Sequence, residues 1–152
     1  MTNFKIEKYF GHNKEELLSV WEKSVLATHH FLSPRDFADI KKSLHELDFT
    51  SFDIYCLTGG SGEIAGFIAL SGAKIEMLFL LPEYCGQTLG KQLVTFAVSE
   101  RNATLVDVNE QNLNAFRFYK KTGFETYERT GKDSSGKSYP LLKMRLKPNK
   151  IL

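Results

Sequence analysis

The chain has 152 residues, of which 42% are hydrophobic and 25% are charged, and its formal net charge is +2. This length fits one domain over residues 1–152, and the small, dispersed charge argues against nucleic acid as a partner. The chain has neither an apolar run of about 18 residues nor a signal-peptide core, and its two cysteines make no disulfide scaffold or zinc site, so we expect a metal-free cytoplasmic protein without a membrane partner.

Two helices are predicted in the first third of the chain, after a short strand at residues 5–9. Asn13 and Glu16 have the spacing of a capping box, in which Glu16 reaches back to the cap. Ser33 followed by Pro34 is typical of a second helix start. The apolar stripes that we expect to be buried are Leu17, Val20, Trp21 and Val25 on the first helix and Phe37, Ile40, Leu44 and Leu47 on the second.

A change of hydrophobic period then predicts three successive antiparallel strands over residues 52–58, 64–71 and 74–81. The first two are joined by a glycine-rich turn and form a hairpin. Pro82 ends the third strand because it lacks an N–H for the ladder. Strict alternation along that strand places Ile75, Met77 and Phe79 on one face and Glu76, Leu78 and Leu80 on the other.

The rest of the chain alternates helices and strands. A helix is predicted from the spacing of Leu89, Leu93, Phe96 and Ala97, and a short strand follows at residues 104–109. Another helix spans residues 112–121 and ends before Gly123, a typical helix stop. Strands at 124–130 and 140–146 complete a mixed α/β domain with about four helices.

The segment between the third strand and the next helix, residues 85–91, has the features of an anion site. Free backbone N–H groups and the positive end of the helix dipole meet there. Lys91 adds a positive charge in the first turn, where it opposes the dipole, and a phosphate ligand would explain its position. The loop lacks the spacing of the common phosphate motifs, so by itself a tight turn into a surface helix is the simpler interpretation.

Two motifs in this half of the chain are more informative together. One is the loop Cys85-Gly86-Gln87-Thr88-Leu89-Gly90, and the other is Asn112-x-x-Ala115-x-x-Phe118-Tyr119-x-x-x-Gly123-Phe124. They resemble the R/Q-x-x-G-x-G/A loop and the NxxAxxFYxxxGF pattern of the GNAT family of N-acetyltransferases. With the stretches Ala27–Leu32 and Ser138–Leu142, the chain resembles a small bacterial branch of that family whose substrates are undefined. The resemblance implies a GNAT-like fold, with a mostly antiparallel central sheet that splays apart between the strands at 74–81 and 104–109.

The resemblance also implies that acetyl-CoA lies in the cleft between those two strands as a co-substrate. Unpaired N–H groups of the first strand would bind the pantetheine arm and the thioester oxygen, and the loop would bind the pyrophosphate. Cys85 and Thr88 depart from the family's loop, and Asn112 fits a CoA contact and a helix cap equally well. The implied cofactor-binding residues are Leu78, Phe79, Leu80, Cys85, Gly86, Gln87, Thr88, Leu89, Gly90, Lys91 and Asn112.

The family reaction is direct attack of a primary amine on the thioester within a ternary complex, accelerated largely by positioning. Tyr119 stands at the family's general-acid position, and a tyrosine is protonated at neutral pH and can donate to the leaving thiolate. Glu76 and His29 are the candidate bases. Apolar neighbours would raise the carboxyl pKa of Glu76, and His29 follows the first helix, which borders the acceptor site in this family. The alternative interpretations are a solvated sheet residue for Glu76 and an exposed helix-end histidine for His29.

A second function is a catalytically weak or inactive GNAT-fold module that binds CoA or a protein partner. Cys85 and Thr88 favour that alternative, and the motif around Tyr119 argues against it. The acceptor amine, on a small molecule or on a protein, stays open, as does the choice between monomer and homodimer.

Two further side chains have alternatives that the sequence leaves open. Cys85, beside Lys91 at a predicted helix start, has a setting that can lower a thiol pKa, but no partner His or second Cys is adjacent in sequence, so we expect a loop residue and not a nucleophile. Tyr139 is expected either to close the acceptor pocket or to pack across strands.

Overall fold

The computed structural model describes residues 4–85 and 88–148. Its strands are β1 (Lys5–Lys8), β2 (Asp53–Thr58), β3 (Ile64–Ser71), β4 (Lys74–Leu80), β5 (Leu105–Asn109), β6 (Phe124–Thr130) and β7 (Leu141–Leu146). Its α-helices are α1 (Lys14–Thr28), α2 (Pro34–Glu46), α3 (Leu89–Arg101) and α4 (Leu113–Lys121). The predicted elements are all present, with ends that differ by about one residue.

The seven strands form one sheet in the order β1-β2-β3-β4-β5-β7-β6. All neighbours are antiparallel except β4 and β5, which are parallel and connected through α3. A parallel pair needs a long crossover, which this helix supplies. The predicted mixed α/β class and the antiparallel run from β2 to β4 are confirmed.

Helices cover both faces of the sheet, and each face has its own apolar core. One core joins α1 to the sheet through Leu17, Leu18 and Val20 together with Ile54 and Phe67. The other joins α3 and α4 to the opposite face through Leu93, Val94, Ala97 and Tyr119 together with Ile68 and Phe124. In the described part of the chain, no helix has the length and hydropathy that a membrane span requires.

The two predicted helix starts differ in how they are capped. Ser33 caps α2, because its hydroxyl accepts a hydrogen bond from the Asp36 N–H at 3.0 Å. Asn13 holds the N-cap position of α1 but makes no side-chain cap bond. Glu16 instead accepts from the Asn13 side-chain amide and, at 2.9 Å, from the Ile64 N–H of β3. The predicted capping box is therefore replaced by a contact with the sheet, which local spacing does not reveal.

The apolar side of α2 is less buried than predicted. Phe37, Ile40, Leu44 and Leu47 are half-buried, and no residue of this helix is fully buried. The reason is that α2 packs on α1, where the Phe37 and Trp21 rings stack with centroids 5.4 Å apart.

A bulge in β4 changes which of its side chains share a face. Between Met77 and Ile75 the pairing with β3 shifts by one residue, so Glu76 is the extra residue. Ile75 therefore packs into the core beneath α3 and α4, whereas Met77 and Phe79 pack on the α1 side. The prediction that Ile75 shares a face with Met77 and Phe79 is wrong, because strict alternation holds only without a bulge.

Candidate active site

Strands β4 and β5 pair over two residues and then separate. Lys74 is opposite Leu105 and Ile75 is opposite Val106, and no later residue of these two described strands is paired across the gap. The strands diverge around a cleft of about 690 Å³. The splay predicted at this place in the sheet is confirmed.

The cleft collects side chains from α1, β4, β5, α4 and the loop before α3. Its lining includes Ser24, Thr28, His29, Glu76, Leu78, Phe79, Leu80, Cys85, Gly90, Asp107, Asn109, Asn112, Asn114, Arg117, Phe118, Tyr119 and Lys121. Of the residues predicted for the site, Thr88, Leu89 and Lys91 are not part of this lining. Gly86 and Gln87 lie outside the described residues.

The edge of β4 that faces the cleft carries unpaired backbone groups. The Leu81 N–H donates to the Ala65 carbonyl of β3 at 2.8 Å, and alternation directs the Phe79 N–H to β3 as well. The N–H groups of Leu78 and Leu80 therefore point away from β3, toward the cleft. Phe79 thus donates within the sheet, and two of the three expected donors remain for a ligand.

The first turn of α3 supplies a second group of free donors. Its first helical bond runs from the Gln92 N–H to the Thr88 carbonyl at 3.0 Å. The N–H groups of Leu89, Gly90 and Lys91 consequently have no partner within the helix. The Thr88 side chain makes no cap bond to these groups. The start of α3 therefore keeps the donors that an anion requires.

Gly90 lies where β4, α3 and α4 meet. A Cβ built on Gly90 would lie 3.4 Å from Leu80 Cδ1 and 3.5 Å from Phe118 Cζ, which are ordinary contact distances. The fold thus has room for a methyl group at this position. The short distances also show that the first turn of α3 adjoins both the free edge of β4 and the cleft-facing side of α4.

The Cys85 thiol does not have the lowered pKa that its position in the sequence suggested. Partial desolvation, and secondly the Glu83 carboxylate, raise its pKa. The helix begins only at Leu89, so the thiol is not at the positive end of the helix dipole. The setting that can lower a thiol pKa, which the sequence left as one interpretation, is therefore not realised at Cys85.

Asn112 is the N-cap of α4 and also contacts His29. Its Oδ1 accepts a hydrogen bond from the Ala115 N–H at 3.1 Å. This contact turns the side-chain Nδ2 toward His29 Nε2, 3.5 Å away. The helix cap, one of the two roles considered for Asn112, is confirmed.

His29 follows α1 and lines the cleft as a neutral imidazole. Thr28 Oγ1 donates to the Ser24 carbonyl at 2.8 Å, so it accepts from His29 Nδ1 at 2.7 Å. This arrangement places the proton on Nδ1 and leaves the Nε2 lone pair on the Asn112 side. Burial, and secondly the neighbouring His30, lower the pKa of His29 to about 4. His29 is therefore uncharged at neutral pH and is a weak base.

Tyr119 lines the cleft from α4 while its ring is held in the core. It is 5% exposed, and its ring packs edge-on against Phe118 and Phe124, with centroids 5.1 and 5.6 Å away. Burial raises the pKa of Tyr119, so the hydroxyl stays protonated. Within residues 4–85 and 88–148, no hydrogen bond uses this hydroxyl. It is consequently available to donate to a group in the cleft.

Glu76 has charged neighbours and not the apolar ones that were expected. Lys74 Nζ lies 3.3 Å from Glu76 Oε1 and 2.9 Å from Asp107 Oδ2, so one ammonium group bridges carboxylates on β4 and β5. The reason lies in the bulge, which makes Glu76 the extra residue of the strand.

Tyr139 connects the loop before β7 to the start of α2. Its hydroxyl donates to the Asp36 carboxylate, which also accepts from Lys137 Nζ at 3.0 Å. These hydrogen bonds, that of Tyr139 first, hold the pKa of Asp36 below its usual value. The Tyr139 ring lies 6.0 Å from the Phe31 ring, which lies 5.3 Å from that of His29. Tyr139 therefore supports the loop that follows α1 without itself lining the cleft.

Sequence reasoning left several of the cleft residues without a role in the site. They are Ser24, Asp107, Asn114 and Arg117. The signal for the last two was available in the sequence, since Asn114, Arg117 and Phe118 fall on one face of a helix. Nothing comparable marked Ser24, which is a polar residue on the otherwise apolar side of α1.

Comparison with known proteins places this cleft in a family context. Residues 42–147 match the family model described as an acetyltransferase (GNAT) domain. The chain is 36% identical over 130 residues to the peptidyl-lysine N-acetyltransferase YjaB of Salmonella typhimurium, covering 86% of this chain and 89% of that protein. It is 38% identical over 134 residues to YjaB of Escherichia coli, covering 86% and 88% of the two chains.

Solved structures show the same architecture. The solution structure of the apo form of E. coli YjaB superimposes with a TM-score of 0.86 at 33% identity, covering 94% of this chain and 97% of that one. The PaiA N-acetyltransferase of Thermoplasma acidophilum, solved in complex with coenzyme A, superimposes with a TM-score of 0.68 at 22% identity, covering 95% and 99%. The second likeness concerns the fold alone.

Proposed function

This chain belongs to the GNAT family of N-acetyltransferases, and on that premise we propose that it transfers the acetyl group of acetyl-CoA to the side-chain amine of peptidyl lysine, using Tyr119 and His29 as its principal catalytic residues. The observation that carries the proposal is the early separation of β4 from β5, which leaves backbone donors facing a cleft. The acceptor class is supported by the two relatives, both named as peptidyl-lysine N-acetyltransferases.

The residues present fit acetyl-CoA at two places. The N–H groups of Leu78 and Leu80 form a free strand edge that suits the amides of a pantetheine arm and the thioester oxygen. The N–H groups of Leu89, Gly90 and Lys91 suit the pyrophosphate. Both sets of donors belong to regular elements, so they are oriented before the ligand arrives, and this lowers the entropic cost of binding.

When bound, acetyl-CoA supplies an acyl group already activated as a thioester. The amine nitrogen forms a bond to the carbonyl carbon, the carbon–sulfur bond breaks, and the nitrogen gives up a proton while the sulfur gains one. An N–H group of Leu78 or Leu80 stabilises negative charge as it develops on the carbonyl oxygen. The protonated Tyr119 hydroxyl donates to the departing sulfur.

His29 receives the amine as a hydrogen-bond acceptor. Its pKa of about 4 makes it too weak a base to remove a proton from an ammonium group outright. Its Nε2 lone pair, which Asn112 Nδ2 approaches only to 3.5 Å, instead orients the small neutral fraction of the amine in place of that long contact, and water takes the proton. Glu76 and Asp107 share the single Lys74 ammonium, so these three side chains together leave one negative charge at the cleft, which favours the approach of an ammonium side chain.

Two exposed apolar side chains support a polypeptide as the acceptor. Leu26, 59% exposed, lies one helical turn before His29, and Leu113, 56% exposed, directly follows Asn112. Since His29 and Asn112 contact each other, the end of α1 and the start of α4 that carry the two leucines meet beside the cleft, although neither leucine lines it. Large exposed apolar side chains beside a site are typical of surfaces that bind peptides.

The test is an acetylation assay with acceptors that differ in one group. A peptide containing a single lysine, the same peptide with arginine in its place, and free lysine amide would each be incubated with the protein and acetyl-CoA. We expect acetylation of the lysine peptide only, at Nζ, as located by mass spectrometry and matched by release of free CoA thiol. Acetylation of the free amine in preference to the peptide would contradict peptidyl lysine as the acceptor but would still support the acetyltransferase activity.

A further inference from the structure

The end of α1 determines which nitrogen of the His29 ring carries the proton. The Thr28 hydroxyl has one proton, and the Ser24 carbonyl oxygen, 2.8 Å from Thr28 Oγ1, can only accept it. If that proton pointed at His29 instead, two oxygen acceptors would face each other without a hydrogen between them. Thr28 Oγ1 therefore accepts at its contact with His29 Nδ1, 2.7 Å away, and Nδ1 must be the donor.

The start of α4 indicates the same tautomer from the other side of the ring. Asn112 Oδ1 accepts from the Ala115 N–H at 3.1 Å, so turning the amide over would place two N–H donors against each other. The Asn112 NH₂ group consequently faces His29 Nε2 at 3.5 Å. A proton on Nε2 would oppose this donor, so Nε2 keeps its lone pair.

The two contacts of the ring differ in length, and this difference decides which of them a ligand can replace. The 3.5 Å contact with Asn112 is longer than a normal hydrogen bond, whereas the 2.7 Å contact with Thr28 is short. The Phe31 ring, with its centroid 5.3 Å from that of His29, restricts rotation of the imidazole. A substrate can therefore replace Asn112 at Nε2 while Thr28 keeps the proton on Nδ1.

The helix itself gives no reason for a threonine at position 28. Threonine is a weak helix former, and a hydroxyl bonded back to the carbonyl four residues earlier slightly destabilises a helix. Thr28 is also exposed, so it is not needed to fill the core. It does line the cleft beside His29. Its hydroxyl is thus explained by the contact with the imidazole and not by local stability.

We propose that Thr28 is a positioning residue of the acceptor site, whose hydroxyl holds His29 in the tautomer that accepts a hydrogen bond from the substrate amine at Nε2. The inference rests on the proposed function and adds a residue that acts through His29 without touching the reacting atoms. Without this hydroxyl the ring proton is free to move to Nε2, where a ring N–H would face the N–H of the amine as a second donor.

The first measurement determines the tautomer in the protein without ligand. Long-range proton–nitrogen NMR spectra of isotope-labelled protein at neutral pH distinguish a protonated ring nitrogen from an unprotonated one by its chemical shift. The variant His29→Ala identifies the signals of His29, because they are missing from its spectrum. We expect an unprotonated Nε2 in wild type and in Thr28→Ser, and a mixture that includes protonated Nε2 in Thr28→Val. A protonated Nε2 in wild type would overturn the inference.

The second measurement is acetylation of the single-lysine peptide by the same proteins. Thr28→Val, which keeps the shape of the side chain, should lower kcat/KM about three- to tenfold and leave the Kd for acetyl-CoA within about twofold of wild type. Thr28→Ser restores the hydroxyl and should recover the wild-type rate. The matched control is Ser43→Ala on α2, which also removes a hydroxyl bonded back to a carbonyl, that of Asp39 at 3.0 Å, but does not line the cleft.

A double-mutant cycle separates positioning from a structural effect. In the His29→Ala background, Thr28→Val should cause no further loss of kcat/KM, because the hydroxyl acts only through the ring. An equal loss in both backgrounds, or a Thr28→Val protein as active as Ser43→Ala, would remove Thr28 from the site and leave the proposed function standing. A wild-type protein that acetylates no amine would remove the proposed function and, with it, the role of Thr28.

Discussion

At the scale of single residues, packing in the core fixes the position of the Tyr119 hydroxyl, but no described residue of the core forms a hydrogen bond with it. The ring is fixed by Phe118 and Phe124, and the hydroxyl has no partner among the described residues. Such a group loses little conformational entropy when it donates to a ligand. Its availability follows from packing and not from any polar contact within the protein.

Tyr119→Phe should therefore lower kcat by about 10²- to 10⁴-fold and leave the Kd for acetyl-CoA nearly unchanged. The ring contacts remain, and only the proton donor is lost. Steady-state kinetics together with calorimetry would measure the two quantities on the same sample. Unchanged turnover would remove Tyr119 from the mechanism, and a parallel loss of binding would assign it to substrate contact.

The burial of His29 makes the stability of the protein depend on pH in a defined window. The pKa of His29 falls from 6.5 in the unfolded chain to about 4 in the folded protein, so between these values the unfolded state binds more protons. The free energy of unfolding should decrease as the pH falls from about 6.5 to about 4, by at most about 3 kcal/mol.

His29→Gln removes this titrating group and should flatten the pH dependence in that window. Urea denaturation of both proteins between pH 4 and 7 would measure the difference. The window lies above the range in which Asp36, whose pKa is lowered, loses its stabilising effect. Identical slopes for wild type and variant would show that the His29 ring is solvated in the folded protein.

At the scale of elements, the position of β4 depends on the missing side chain of Gly66 in β3. A Cβ on Gly66 would lie 2.3 Å from Leu80 Cδ2 and 2.7 Å from the Phe79 carbonyl oxygen. Alanine there would push on the backbone of the strand whose free edge forms the cleft. β4 therefore lies against β3 at a distance that only glycine permits at this position.

Gly66→Ala should reduce the free energy of unfolding by about 1–3 kcal/mol and also weaken CoA binding. The matched control is Gly60→Ala, because a Cβ on Gly60 meets nothing within 4 Å, and this variant should stay within about 0.5 kcal/mol of wild type. Chemical denaturation and calorimetry would measure the two effects. A destabilised Gly66→Ala protein with unchanged CoA affinity would show that the exact position of β4 does not determine CoA binding.

Most of the elements and the split between β4 and β5 were predictable, because hydrophobic period, caps and the Asn112–Phe124 motif are local signals. Contacts between residues that are distant in sequence were not predictable. Because of the bulge at Glu76, Ile75 lies on the face of β4 opposite to the predicted one. The same bulge, together with Lys74, gives the predicted base Glu76 charged neighbours in place of apolar ones. The tautomer of His29 follows from the local contacts of Thr28 with Ser24 and His29, but the contact of His29 with Asn112 joins residues 83 positions apart, which no spacing rule reveals.

At the scale of the whole molecule, ligand binding should raise thermal stability. Acetyl-CoA at about 100 times its Kd stabilises the folded state by about 2.7 kcal/mol. For a chain of this length the midpoint of unfolding should rise by about 5–10 °C. No shift at millimolar acetyl-CoA would mean that the altered loop at Cys85 and Thr88 does not bind the ligand, and a module that acts through other partners would then be favoured.

The short pairing of β4 with β5 also affects how easily the sheet opens locally. Two residue pairs join a four-stranded half, β1 to β4, to a three-stranded half, β5 to β7. A pantetheine arm along the free edge of β4 would complete the hydrogen-bonding ladder as a short extra strand does, and the cofactor would become a structural member of the sheet. Amide hydrogen exchange should therefore slow on both sides of this seam when CoA binds, including at β6, which lies two strands away from β5 in the sheet.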